Sequence, residues 1–408
     1  MNISDKIRQI YDRRPYPFGN GQALKRSSWS LLHEWVDAFG RNELHPFVPR
    51  RILVAGCGDG TEAFRLGRQY PGSEIVAVDF STRSIAVAKR LQARMGKKSA
   101  VRFVAADLGD LRLPSRVGGG FDLITCHGVL SYVSGPVRVL RNLARSLEPA
   151  GVLYLGVNGS ANASTRLRSV LPDLGFDLGG FRDGPRLRGV LGLCDHVLAS
   201  DGRPRVSMRS AAYLAGDVFG ALNRSETLST WVSYGRRAGL SFRGSLATIG
   251  RFQAIAEDGS YVHLMPKSRA EVGGVLERLA PSQFHGLLFS PVPEVNPPWS
   301  SRSRLLGWTI APSRLYDFKL PRTGGKVLDR RRPLRISSAA LRLSMEWEMP
   351  EWELELLRGG PLRRIMAGLP LSVPFDELSK QIYLLFQLGV LKLVPPGVPP
   401  DRSRVRRP

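Results

Sequence analysis

The sequence predicts an α/β fold: a doubly wound, seven-stranded, mostly parallel sheet, with an N-terminal helical cap before it and a smaller α+β, winged-helix-like domain after it. Three observations carry this. Short apolar runs alternate with helical stretches between Arg51 and Val157, as strands buried on both faces and joined by right-handed crossovers do. The first run ends in a glycine-dense turn, Gly56-Cys57-Gly58-Asp59-Gly60, that opens a helix. Beyond Pro266 the character changes, and residues 291–335 hold many Pro, Ser and Arg residues.

Taken in order, residues 1–50 read as the cap. Tyr11, Pro15, Tyr16, Pro17 and Phe18 break it early, and Trp29, Leu32, Trp35, Val36 and Phe39 recur at helical spacing, for packing on the next domain. Residues 51–266 read as the sheet domain. Its strands are expected at Ile52–Ala55, Ile75–Val78, Val101–Ala105, Phe121–Thr125 and Val152–Val157, with helices between them. Residues 160–220 break the alternation and read as a helical insertion or lid. A helix is expected over Thr227–Ala238, then strands at Leu240–Ile249 and Tyr261–Met265 as an antiparallel final pair. Residues 267–400 form the accessory domain, with helices around Glu351–Leu357 and Phe375–Leu388 and a strand over Val390–Val394; residues 401–408 read as a disordered basic tail.

Composition bounds the function. The chain has 408 residues and 43% hydrophobic content, enough to bury a large core. No apolar run approaches the roughly 18 residues of a membrane span. Met1–Lys6 lacks a signal-peptide core, and Cys57, Cys126 and Cys194 stand too far apart for a disulfide framework, so the chain reads as a soluble cytoplasmic protein. The net charge is +24, from ten lysines and 49 arginines against 35 acids. Such arginine usage can follow from genome composition. The basic runs at 322–335 and 402–407 confine any nucleic-acid or membrane-surface role to the C-terminal region.

The glycine turn carries the chemistry. Absent Cβ atoms let a ligand approach the backbone, and the helix that follows presents free N–H groups. Asp79 closes the second strand, where a carboxylate accepts both hydroxyls of an adenosine ribose, and Asp107 closes the third, where an adenine amino group can be read. A dinucleotide site spaces its glycines Gly-x-Gly-x-x-Gly; here they fall at 56, 58 and 60. That compact form, with acids ending strands two and three, resembles class I S-adenosylmethionine-dependent methyltransferases over about residues 50–160, and more weakly to 266.

The resemblance implies S-adenosylmethionine as cofactor. It implies that Gly56, Cys57, Gly58 and Gly60 meet the methionine part, Asp79 the ribose, Phe80 the adenine face, and Asp107 and Leu108 the adenine edge. The segment Cys126-His127-Gly128-Val129-Leu130-Ser131-Tyr132 would border the methyl group. Many members carry Glu or Asp just before the first glycine; here it is Ala55. Tyr11-Asp12-Arg13-Arg14-Pro15-Tyr16-Pro17 and His127–Val133 resemble a bacterial group in which a methyltransferase domain precedes a methyltransferase regulatory domain, some of whose members methylate protein lysines. Tyr11 and Tyr16 would then help close the pocket; packing within the cap is the alternative role.

Methyl transfer needs an aligned, unprotonated nucleophile. His127 is the base candidate for a hydroxyl nucleophile, with a structural hydrogen bond as its other reading. No Asn/Asp-Pro-Pro-Tyr tetrad follows strand four, Cys126 lacks a Pro-Cys context, and six scattered histidines give no metal cluster. Three functions fit: a methyltransferase acting on a protein side chain, which the large C-terminal region favours; one acting on a small molecule; and a degenerate cofactor-binding regulatory protein.

Overall fold

The computed structural model describes residues 7, 9, 12, 32–40, 47–95, 101–178, 181–199, 211–256, 259–294, 296–318, 331–338, 343–370 and 372–397. The chain divides into two compact units. One comprises Met1–Ser27, Pro49–Leu240 and Leu279–Gly286; the other comprises Ser28–Val48, Ser241–Arg278 and Leu287–Pro408.

The first unit carries β1 (Arg51–Ala55), β2 (Glu74–Asp79), β3 (Val101–Ala105), β4 (Phe121–His127) and β5 (Leu147–Asn158), all parallel where they pair. With β6 (Ser241–Ser245) and β7 (Phe284–Ser290) they form a seven-stranded sheet in the order β3-β2-β1-β4-β5-β7-β6, in which β6 and β7 are antiparallel. The strand order reverses at β1 and β4, which places a ligand crevice at their carboxyl ends. Val-, Ile- and Leu-rich β1, β2 and β4 are buried along almost their whole length, because helices cover both faces.

The helices follow from their spacing. In α1 (Thr61–Gln69) Ala63, Phe64 and Leu66 face inward, and in α2 (Thr82–Met95) Ile85, Ala88 and Leu91 do so at i, i+3 and i+6. A short α3 (Leu113–Val117) precedes β4. Pro136 starts α4 (Pro136–Ser146), whose Val139, Leu140 and Leu143 bury one stripe. The described part of the insertion is helical. It holds α5 (Ala163–Val170), capped by the Asn162 side chain on the Ser164 N–H at 3.0 Å, and α6 (Pro185–Ala199). Leu167, Leu171, Leu187, Leu191, Leu214 and Val218 give it its own small core. The helix expected over Thr227–Ala238 is α7 (Leu228–Arg237), with Thr227 as its cap.

Two expected strands are corrected. Leu240–Ile249 holds β6 only to Ser245, after which α8 (Leu246–Ala256) begins. Tyr261–Met265 is a 3₁₀ turn, Ser260–Leu264, entered through left-handed Gly259 at φ 75°. A strand would have buried alternate residues, whereas here only Tyr261 is fully buried. The last strand is β7, past α9 (Arg269–Leu279), so the sheet runs beyond residue 266.

In the second unit, β8 (Thr309–Pro312), β12 (Gly360–Pro361) and β13 (Leu391–Val394) form an antiparallel sheet in the order β12-β8-β13. It accompanies α10 (Glu351–Arg358), α11 (Leu362–Gly368) and α12 (Phe375–Gln387), the content expected of a winged-helix-like module. A second antiparallel sheet is built from β9 (Asp317–Phe318), β10 (Arg331–Ser338) and β11 (Leu343–Pro350). The cap residues Leu32, Trp35, Val36 and Phe39 are buried in this unit. The Phe39 ring lies where a Cβ on left-handed Gly389 (φ 74°) would stand. Arg269 sits over the rings of Phe39 and Phe386, 4.6 and 3.6 Å from their centres, and donates to the Phe386 carbonyl at 2.8 Å. Its burial lowers the guanidinium pKa to about 9. Asp37 and Lys392, 3 and 4% exposed, pair at 3.1 Å across 355 residues of sequence. The 401–408 tail lies outside the described residues, and among those described no helix is long and apolar enough to cross a membrane.

Removing one partner of the buried pair leaves the other charge uncompensated. Lys392→Met is expected to cost about 3–5 kcal/mol in denaturant unfolding, and the double change Asp37→Leu with Lys392→Met much less. Equal costs for the single and double variants would show that the pair does not act as one.

Candidate functional site

Between β1 and α1 the backbone turns sharply, and its N–H groups are already committed. Those of Gly56 and Cys57 donate to the Val78 carbonyl at 2.7 and 2.9 Å, and that of Gly58 to the Asp79 carboxylate at 2.9 Å. Ser81 donates its N–H to the other Asp79 oxygen, also at 2.9 Å. The glycine loop and the end of β2 are therefore one hydrogen-bonded piece. Burial raises the Asp79 pKa, the hydrogen bonds from Ser81 and Gly58 oppose the rise, and the nearby Asp12 charge adds to it. Each carboxylate oxygen keeps a second lone pair, so hydroxyl donors remain welcome.

Gly56 and Gly58 are left-handed, at φ 77° and 53°. A Cβ on Gly56 would run into the Val129 side chain. Gly60, at φ 81°, packs instead under the Phe103 ring, where a Cβ would come within 3.0 Å. Asp59 accepts both the hydroxyl (2.7 Å) and the N–H (3.1 Å) of Thr61, closing the first turn of α1. Asn142 on α4 donates to the carbonyls of Leu108 (2.8 Å) and Asp110 (3.0 Å), and so fixes the loop after β3.

A cavity of about 490 Å³ opens over these strand ends, a size within the range of small-molecule sites. Gly56, Gly58, Asp79, Phe80, Asp107, Leu108 and His127 all line it. Cys57 and Gly60 do not: the Cys57 thiol is buried, its pKa pushed well up by desolvation. Cys126 is fully buried, its thiol pKa also raised by desolvation, which makes it a packing residue. Ala55 is buried in β1 away from the cavity, where an unpaired acid would be costly. Tyr11 and Tyr16 lie outside the described residues. Their neighbours are described: Ile7 lines the cavity, and Asp12 accepts from the Ser81 hydroxyl at 2.5 Å. The cradle fits an adenosyl cofactor, with carboxylates at the two strand ends, an aromatic ring between them, and a backbone kept clear of Cβ atoms.

His127 ends β4 opposite Gly156 on β5, and a side chain at Gly156 would fill the space of the imidazole. Its Nδ1 lies 3.0 Å from the Tyr154 hydroxyl, and its ring centre 4.9 Å from that of Phe284. Burial lowers its pKa to about 4, so the ring is neutral at physiological pH. The tautomer sets its role. With Nδ1 protonated toward Tyr154, Nε2 is a base; with Tyr154 donating, Nε2–H is a donor.

Tyr132 belongs to the segment expected to border the methyl group, whereas several other lining residues carried no signal in the sequence. Tyr132 donates its hydroxyl to Asp217 and accepts from Asn158 Nδ2 at 3.2 Å. Asn158 Nδ2 also donates to Asn223 Oδ1 at 2.9 Å, and Asn223 Nδ2 to the Asp217 carbonyl at 2.6 Å. Asn158 could have been found as a polar residue ending a buried strand. Asp217 and Tyr213 sit in the motif-free insertion, and Phe284 lies beyond the expected domain end. Among the described residues no group of histidines, cysteines and acids could hold a metal ion.

Asp79→Ala is expected to abolish S-adenosylhomocysteine binding in calorimetry, because it also releases Gly58; unchanged affinity would overturn the cofactor assignment. His127 makes a second prediction. Its folded pKa, about 4, lies below its ordinary 6.5. As pH falls between those values the unfolded chain takes up a proton that the folded chain refuses, so stability is full above 6.5 and is lost toward 4. Between pH 7 and 4 the protein should lose about 3 kcal/mol more than a His127→Gln variant in urea unfolding; parallel losses would mean that His127 titrates normally.

Comparison with known proteins agrees with this geometry. A family model described as Methyltransferase domain matches residues 53–153. An uncharacterized protein of Synechococcus sp. is 30% identical over 45% of this chain and 44% of its own length. The ubiquinone biosynthesis O-methyltransferase of Paracidovorax citrulli is 30% identical over 34% of this chain and 57% of its own. The chain thus spans about half the length of these curated relatives. PKMT2 from Rickettsia typhi, solved in complex with AdoHcy, shares the fold over 93% of this chain and 77% of its own, with a TM-score of 0.51 at 16% identity. The glycine loop and acidic strand ends therefore belong to a class I S-adenosylmethionine-dependent methyltransferase, an enzyme domain whose cofactor is S-adenosylmethionine.

Proposed function

We propose that this protein methylates a side chain of another protein, in the cytoplasm. The observation that carries this reading is the second unit. The fold likeness to the protein methyltransferase PKMT2 runs through 93% of the chain, past the sheet and into the β8-β12-β13 module, whereas the match to the O-methyltransferase stops at about a third of it. When bound, S-adenosylmethionine supplies an electrophilic methyl group on a sulfonium. The protein's task is then to hold the acceptor in line and keep it unprotonated. Residues 160–220 would act as a lid, and Tyr11 and Tyr16 would help close the pocket. Buried, unpaired Cys57 and Cys126 support a reducing compartment.

A second reading is O-methylation of a small molecule. It is favoured by the neutral His127 at the edge of β4, which can act as a general base toward a hydroxyl, and by the name of the Paracidovorax relative. Incubating the full chain with methyl-labelled cofactor and cell lysate separates the two. Label in protein bands is the expected result; label confined to the small-molecule fraction would favour the second reading, and no label would sink both.

A further inference from the structure

We propose that the arginine face of α4, which starts at the mouth of the cavity, docks an acidic protein segment. The proposal deepens the protein-methylation reading, on which that segment's belonging to the methyl acceptor rests. Helix α4 buries Val139, Leu140, Asn142 and Leu143. Its exposed residues are Arg138, Arg141 and Arg145, and it contains no acid. Val133, Ser134, Gly135, Arg138 and Val139 line the cavity and the later residues of α4 do not, so the stripe begins at the cavity and leads away from it. α4 packs against α3 and α7, which hold no acid either and expose Arg116, Arg236 and Arg237.

Helix stability does not account for the stripe. Arg138 and Arg141 stand three apart, and Arg141 and Arg145 four apart, spacings at which like charges repel. Arg138 also sits in the first turn, where the helix dipole disfavours a cation. Two acids border the face and leave most of it positive. Arg138 lies beside Asp107, and Arg112 and Arg116 pair with Asp110 at 3.4 and 3.7 Å. Among the described residues no acid pairs with Arg141, Arg145, Arg236 or Arg237. Guanidinium forks match carboxylates bidentately, so acidic side chains suit this face. Its exposed residues on α3, α4 and α7 are all arginine or serine, with no aromatic ring for nucleic-acid bases to stack on. From Arg138 to Arg145 is about 10 Å along the helix, which about three extended residues span. A segment that places one side chain in the cavity can therefore lay its acids across the stripe within a few residues.

The test uses the full chain and the fluorescence anisotropy of three labelled probes: a dodecapeptide alternating glutamate and serine, its glutamine counterpart, and an oligothymidylate of equal length. The glutamate peptide should bind and the glutamine peptide should not, and the affinity should fall as salt is added. Arg141→Gln with Arg145→Gln, neither of which lines the cavity, should weaken the glutamate peptide by about 3- to 10-fold. S-adenosylhomocysteine affinity should stay as in the parent, the control for folding. Equal binding of the two peptides, no binding of the glutamate peptide, or an unaffected variant would overturn the docking face. Oligothymidylate bound more tightly than the glutamate peptide, and weakened by the same variant, would overturn the acidic-protein occupant in favour of nucleic acid. Methyl-labelled cofactor in lysate separates this inference from the reading it rests on. Less protein label from the variant than from the parent supports both. Equal protein label from the two keeps the protein reading and removes the docking face. Label only in small molecules, with the glutamate peptide still bound, removes the protein reading and keeps the face.

Discussion

The hydrogen bond from the Gly58 N–H to the Asp79 carboxylate holds the rest of the site in place. It joins the loop after β1 to the end of β2, and with the Gly56 and Cys57 N–H groups on Val78 it leaves the loop no other course. Everything near it takes position from that junction. Val129 can lie against Gly56 only because Gly56 lacks a Cβ, and the turn it belongs to carries His127 on one side and Tyr132 on the other. The site is thus assembled from backbone commitments, with side chains added where the backbone leaves space.

A second consequence concerns charge. Burial raises the Asp79 pKa, and the N–H groups of Ser81 and Gly58 oppose the rise. His127 is also enclosed, with its Nδ1 on the neutral Tyr154 hydroxyl, and desolvation lowers its pKa to about 4, so the ring stays uncharged. Burial thus pushes both groups lining the cavity toward their neutral forms, and at Asp79 the N–H donors oppose it.

What was legible in the sequence was whatever the local chain dictates. The runs Ile52–Ala55 and Ile75–Val78 are apolar because the sheet is covered on both faces, and the glycines at 56 and 58 are required by positive φ. Seven of the nine described residues expected to touch cofactor do line the cavity. Cys57 and Gly60 stand outside its lining because the helix start turns them toward the core, which spacing alone does not reveal. Long-range placement was not legible. Tyr261–Leu264 has strand-like residues but follows left-handed Gly259 as a 3₁₀ turn. Phe284–Ser290 pairs with a strand some forty residues earlier. Phe39 packs in a unit whose other members lie more than 200 residues away, through Arg269 and Gly389. Asp217 became visible only when the insertion folded beside Tyr132.

The arginine excess that colours the composition has a structural account in the described residues. Arg269 is stacked between rings, and Arg243 is buried with its Nε on the Phe39 carbonyl at 3.3 Å. Arg168 caps two carbonyls of the insertion, and Arg51 spans Glu74 and the Gly118 carbonyl. A planar guanidinium with five donors suits such sites, where a lysine would satisfy fewer acceptors. Arginines used this way offer little to a polyanion, because their donors are already directed at backbone. The net charge of +24 thus includes arginines that serve the fold.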